Sequence, residues 1–159
     1  VFWFTLPCRI IRAEERTSWS EPLPRFAMPE KKSGERCKTI LIAEDNESNY
    51  KLFYSILRNN YEIIHAWDGE EAVELFKKHS PHLILMDINM PKMNGYESAE
   101  KIKEIAPAIP IIAVTAYAYA DDEQNILNSG FDAYTSKPIN AQKLNTQIID
   151  LLKNRLIFI

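Results

Sequence analysis

From Lys38 onward, short apolar runs alternate with segments whose apolar residues recur at helical spacing. The runs Lys38–Ala43, Tyr61–Ala66, His82–Met86, Ile111–Val114 and Asp132–Thr135 predict strands. Leu83, Ile84, Leu85 and Met86 do not alternate with polar residues, as expected of a strand buried on both faces. Between the strands, Asn46 is a plausible cap for a helix through Arg58, with Tyr50, Phe53, Ile56 and Leu57 on one face. Gly69 is read as a break before a helix over Glu70–Lys78, whose Ala72, Val73, Leu75 and Phe76 suit a core. Further helices are predicted over Tyr96–Ile105, over Ala120–Asn128 with Gly130 as its stop, and over Ala141–Asn154.

Strands that alternate with helices imply a parallel sheet covered on both faces by right-handed crossovers. The fold class is therefore α/β, a doubly wound five-stranded parallel sheet with flavodoxin-like order 2-1-3-4-5. In such a sheet all strands end on one rim, and the residues that end them are informative. Glu44 and Asp45 follow the first strand, Asp87 the third, Thr115 the fourth and Lys137 the fifth. Trp67 and Asp68 are all that the second contributes. Clustered carboxylates repel and call for a cation, and oxygen ligands without His or Cys suit a hard ion such as Mg²⁺. Asp87 could then attack phosphorus as a carboxylate nucleophile, with the Thr115 hydroxyl and Lys137 ammonium holding the phosphoryl oxygens. Taken singly, each residue has an ordinary reading as a turn, a solvated loop or a surface charge. Together, at matching strand ends, those readings fail.

Composition adds limits. Hydrophobic residues make up 46% and charged residues 26% of the 159, ordinary values for a globular chain. A net charge of −3 suggests neither nucleic acid nor membrane contact, and no run approaches the roughly 20 apolar residues of a membrane helix. The charge is uneven: residues 1–37 hold seven Lys/Arg against five Asp/Glu. Cys8 and Cys37 lie far apart without ligand spacing, so a reducing, cytoplasmic setting is expected. There is no GxxxxGK or GxGxxG nucleotide loop.

The set Glu44-Asp45-Asn46, Asp87 with Met90-Pro91 and Gly95, Thr115-Ala116, and Lys137-Pro138 resembles the receiver domain of two-component response regulators. The resemblance implies that Asp87 is the phospho-acceptor. It also implies that Asp45, Asp87 and the backbone carbonyl of Asn89 bind Mg²⁺, with Glu44 taking part through water. By the same resemblance Thr115 and Lys137 hold the phosphoryl group, the Lys137-Pro138 peptide is cis, and Tyr134 is a switch aromatic. Asn89 and Tyr117 would tune water access. The partners implied are a histidine kinase or a histidine phosphotransfer domain, with the domain expected as a monomer and dimerisation through its output face as the alternative.

Phe2–Pro7 resembles the last strand of the ATPase domain of sensor histidine kinases, and Pro22, Pro24 and Pro29 lie in a segment of linker composition. The expected organisation is a kinase remnant over 1–11, a linker over 12–37 and a receiver over 38–156, as in a hybrid sensor kinase. The chain opens on Val1, as expected of a piece of a longer protein. Without ATP-binding motifs it is not itself the kinase. A phosphatase of the haloacid dehalogenase class is the enzymatic alternative, but it wants a second Asp two residues after the nucleophile, where this chain has Asn89. An inert pseudo-receiver is the other alternative, and it would have lost the acidic pair, the Thr or the Lys.

Overall fold

The computed structural model describes residues 37–116 and 120–154. The expected kinase remnant, most of the linker and Tyr117 lie outside them. The elements are β1 (Thr39–Ala43), α1 (Glu47–Leu57), β2 (Glu62–Ala66), α2 (Gly69–His79), β3 (Leu83–Asp87), α3 (Gly95–Ile105), β4 (Ile111–Thr115), α4 (Ala120–Asn128), β5 (Ala133–Ser136) and α5 (Ala141–Asn154). The strands form a five-stranded sheet in the order β2-β1-β3-β4-β5, with every neighbouring pair parallel.

Two apolar layers follow from the alternation of side chains along a strand. Leu41, Ile84, Met86, Ile111 and Ala113 face Ala72, Val73 and Phe76 of α2, Ala99 and Ile102 of α3, and Ile126 of α4. Ile40, Ile42, Leu83, Leu85, Ile112 and Val114 face Phe53 and Leu57 of α1 and Leu144, Ile148 and Leu152 of α5. Burial on both sides explains why β3 and β4 are apolar up to their last residues, Asp87 and Thr115, and both are buried throughout. The edge strand β2 is only partly covered.

Helix starts follow side-chain chemistry. The Asn46 side chain accepts from the Ser48 and Asn49 amides, and Asn94 with Glu97 forms a reciprocal capping box at α3. One expectation is corrected. Gly69 does not break the chain before α2; it is the first helical residue, and Asp68 is the cap. The reason is steric: a Cβ at Gly69 would lie 2.2 Å from the Met93 carbonyl oxygen and 2.1 Å from Ser98 Oγ. At the far end of α4, Gly130 has φ +94, the left-handed conformation expected of a helix stop.

Gly95 marks a second close approach, beside Asp87. A Cβ there would stand 2.4 Å from the Asp87 carbonyl oxygen and 2.8 Å from Ile88 Cα. Alanine favours helices by up to about 1 kcal/mol over glycine, whereas forcing atoms into packed backbone costs about 1–3 kcal/mol. Gly95→Ala is therefore expected to lower the urea midpoint, and an unchanged or raised midpoint would show that the loop can give way.

Candidate functional site

The parallel topology brings the predicted residues to one rim. Carboxylate oxygens of Glu44, Asp45 and Asp87 all lie within 4.8 Å of one another. Asp87 is the last residue of β3 rather than the first of a turn, and it is buried. Its Oδ1 accepts from the Asn89 amide at 3.0 Å, and its Oδ2 accepts from the Lys137 ammonium at 2.6 Å. Asp45 is exposed, while Glu44 is 1% exposed, so the acidic pair divides into an inner and an outer carboxylate.

Glu44 is held closely. Its Oε1 accepts from the Asn46 amide at 3.2 Å and from Asn49 Nδ2 at 3.0 Å. Its Oε2 stands 3.1 Å from the Lys137 ammonium, yet is buried without a donor aligned for a hydrogen bond. Burial pushes the Glu44 carboxyl above its ordinary range; the Asp87 charge adds to this, and Asn49 and Lys137 oppose it. Burial acts to lower the Lys137 value, but its hydrogen bond to Asp87 and the charges of Asp87 and Glu44 outweigh burial and raise it. Lys137 thus stays an ammonium with two carboxylates in reach.

Thr115 ends β4, buried, and its carbonyl accepts from the Lys137 amide at 2.8 Å. The Lys137-Pro138 peptide is cis, as the resemblance implied. Tyr134, three residues earlier on β5, is half-buried against the apolar layer of α2, α3 and α4. The Lys143 ammonium lies 5.4 Å from its ring centroid, and its carbonyl accepts from Gln147 Nε2 at 2.9 Å.

Three supports escaped sequence reasoning. Asn49, one turn into α1, could have been found from its spacing to Glu44. His65 bonds the Glu44 carbonyl at 2.9 Å and stacks on Tyr50 with centroids 3.7 Å apart. Only the register that sets His65 beside Ile42 reveals this contact. Asp68, read as a bystander at the sheet edge, caps α2 and pairs with Lys92 at 2.5 Å.

The Glu71 amide first, and then Lys92, hold the Asp68 carboxyl below the usual carboxylate range. A lowered folded value gives stability that is complete above the ordinary carboxylate value of about 4 and is lost as pH falls through the folded value. Asp68→Asn keeps a capping side chain but not this charge. The stability gap between wild type and Asp68→Asn is expected at neutral pH and should shrink below about pH 4 in urea titrations. A gap that widens in acid would contradict the assignment.

The donor set fits a hard divalent cation: three carboxylates, no His or Cys, and a buried Glu44 oxygen without an aligned donor. A parallel sheet of order 2-1-3-4-5 with this rim defines a class, a doubly wound α/β domain whose acidic cleft lies at the strand C-termini beside a lysine. Comparison with known proteins gives the family. Residues 40–149 match the model of the response regulator receiver domain, and the chain belongs to that family. The polar-differentiation response regulator DivK of Brucella ovis is 44% identical over 109 residues, 67% of this chain and 89% of that protein. Among solved structures, a CheY-like receiver domain protein from Methanospirillum hungatei JF-1 superposes with a TM-score of 0.70 at 32% identity, covering 75% of this chain and 96% of that one. The receiver domain of a sensor histidine kinase from Pseudomonas aeruginosa PAO1 is 30% identical with a TM-score of 0.68, over 74% and 99% of the two chains. That structure has a magnesium ion coordinated in its active-site cleft.

Proposed function

We propose that this receiver domain accepts a phosphoryl group on Asp87 from the phosphohistidine of a histidine kinase or a histidine phosphotransfer domain, in an Mg²⁺-dependent step of a phosphorelay. The observation that carries the reading is Asp87 itself: a buried carboxylate at a strand end, within the carboxylate cluster and 2.6 Å from an ammonium. A carboxylate oxygen of Asp87 forms the bond to phosphorus as the phosphorus–nitrogen bond of the donor breaks, and the departing imidazole takes up a proton. Thr115 and Lys137 are the groups that hold the phosphoryl oxygens, and the loop amide of Asn89 orients the attacking carboxylate. Asp45, Asp87 and the Asn89 carbonyl would hold Mg²⁺, with Glu44 joining through water. Bound there, the ion offsets the negative charge that gathers on the transferring group.

In this reading the phosphorylated state acts through Thr115 and Tyr134 on the α4–β5–α5 face, or passes its phosphoryl group onward. We further propose the hybrid arrangement, with residues 1–11 as a kinase remnant, 12–37 as a linker and 38–156 as the receiver. Its supports are the linker composition of 12–37 and the 30% identity to the receiver of a sensor histidine kinase. No helix among the described residues is long and apolar enough to cross a membrane.

The test is exposure of the chain to acetyl phosphate with and without Mg²⁺. Hydroxylamine-sensitive incorporation of one phosphoryl group, lost when a chelator removes the metal, is expected. Incorporation that survives the chelator or resists hydroxylamine would overturn the reading.

A further inference from the structure

We propose that Asp68 and Lys92 are positioning residues for the acidic site: their ion pair seats the loop after β3 against the first turn of α2 and so aims the Asp87 carboxylate. The inference rests on the reading of Asp87 as phospho-acceptor.

The loop of residues 88–94 is tied directly to the site by the bond from the Asn89 amide to Asp87 Oδ1 at 3.0 Å. Where that amide points depends on where the outer part of the loop is held. Its base is closed by the Gly95 amide on the Ile88 carbonyl at 2.9 Å, and Met93 lies flush against α2, leaving no room for a Cβ at Gly69. Between these two anchors, Lys92 takes φ +63, a left-handed conformation that costs a non-glycine residue free energy and persists where surrounding contacts impose it. The Met93 amide on the Pro91 carbonyl at 2.8 Å closes a tight turn centred on Lys92, and the Lys92 ammonium on Asp68 Oδ2 at 2.5 Å ties that turn to the start of α2.

The two partners differ in a way that makes the pair more than a surface contact. The Lys92 side chain is 63% exposed, but that of Asp68 is 10% exposed and fixed by the Glu71 amide at 2.9 Å. A flexible cation therefore closes on a preset carboxylate, so little freedom is lost on one side of the pair. The set carboxylate belongs to α2, which packs between sheet and loop. The frame of the helix is thereby passed to the loop, and the loop amide passes it to Asp87.

The experiment uses Lys92→Met, Lys92→Arg, Lys92→Gly and Asp68→Asn in the full chain, with two readouts. The first is hydrogen exchange of the Asn89 amide without metal. The second is Mg²⁺ binding by calorimetry together with acetyl phosphate labelling. Lys92→Met is expected to speed Asn89 exchange and weaken Mg²⁺ binding by about 5-fold, the upper range for a pair with one exposed partner. Lys92→Arg should restore both. Lys92→Gly is the decisive variant, because glycine relieves the left-handed backbone. It should hold or raise the melting temperature while still loosening Asn89, which a merely structural role would not do. The proposal is overturned if Asn89 exchange in Lys92→Met and Asp68→Asn equals that of wild type, or if exchange simply follows melting temperature across the series. If wild type neither binds Mg²⁺ nor takes label while the exchange pattern appears as expected, the positioning stands as geometry and the phospho-acceptor reading fails.

Discussion

Asp87→Asn is expected to abolish phosphoryl incorporation from acetyl phosphate while leaving the fold intact. The amide is the same size as the carboxylate and keeps one oxygen, enough for one of the two bonds that Asp87 accepts from the Asn89 amide and from Lys137. What it loses is the anionic oxygen that attacks phosphorus, and no neighbouring group replaces it. Asp45 is exposed on the outer side of the cluster, and Glu44 is locked by Asn46 and Asn49. Mg²⁺ binding should weaken as well, since one of the three clustered carboxylates becomes neutral. Incorporation in Asp87→Asn equal to wild type, read by intact mass, would move the acceptor to another residue.

Lys137→Met separates charge balance from chemistry. The ammonium serves both Asp87 and Glu44, at 2.6 and 3.1 Å. Its removal leaves two buried carboxylates without their cation, a loss of about 1–3 kcal/mol in the metal-free protein. Mg²⁺ supplies positive charge to the same carboxylates, so it should bind more tightly to the variant and recover much of that stability. Labelling should nevertheless fall by about 100-fold, the scale for losing one charged donor opposite a developing charge. The metal would then restore stability to the variant without restoring its phosphorylation. Calorimetry and urea titration with and without Mg²⁺ check the first half, and labelling rate checks the second. A variant that binds Mg²⁺ more weakly than wild type would contradict the placement of Lys137.

The sheet order and the rim were legible from Lys38 onward for one reason. Strands buried on both faces stand out as apolar runs, and in a parallel sheet the residue after each run must lie at a common edge. Glu44, Asp45, Asp87, Thr115 and Lys137 could therefore be gathered without coordinates. Burial within the group could not be read. That Glu44 is enclosed and Asp45 exposed depends on how Asn46 turns the chain into α1. The role of Gly69 was misread because the signal of glycine as a breaker is local, whereas its cause is Met93, across the α2–loop contact. Asp68–Lys92 and His65–Glu44 were invisible for the same reason: each joins residues from separate elements, and no spacing along the chain encodes it.

The central claim is that Asp87 carries the phosphoryl group, and the most direct test locates the modified atom in the wild-type chain. After acetyl phosphate and Mg²⁺, borohydride reduction converts an acyl phosphate to an alcohol and marks its residue permanently. Peptide mapping is predicted to find that mark at residue 87 alone. A mark at Asp45 or Glu44, or label that borohydride leaves untouched on a histidine, would contradict the account.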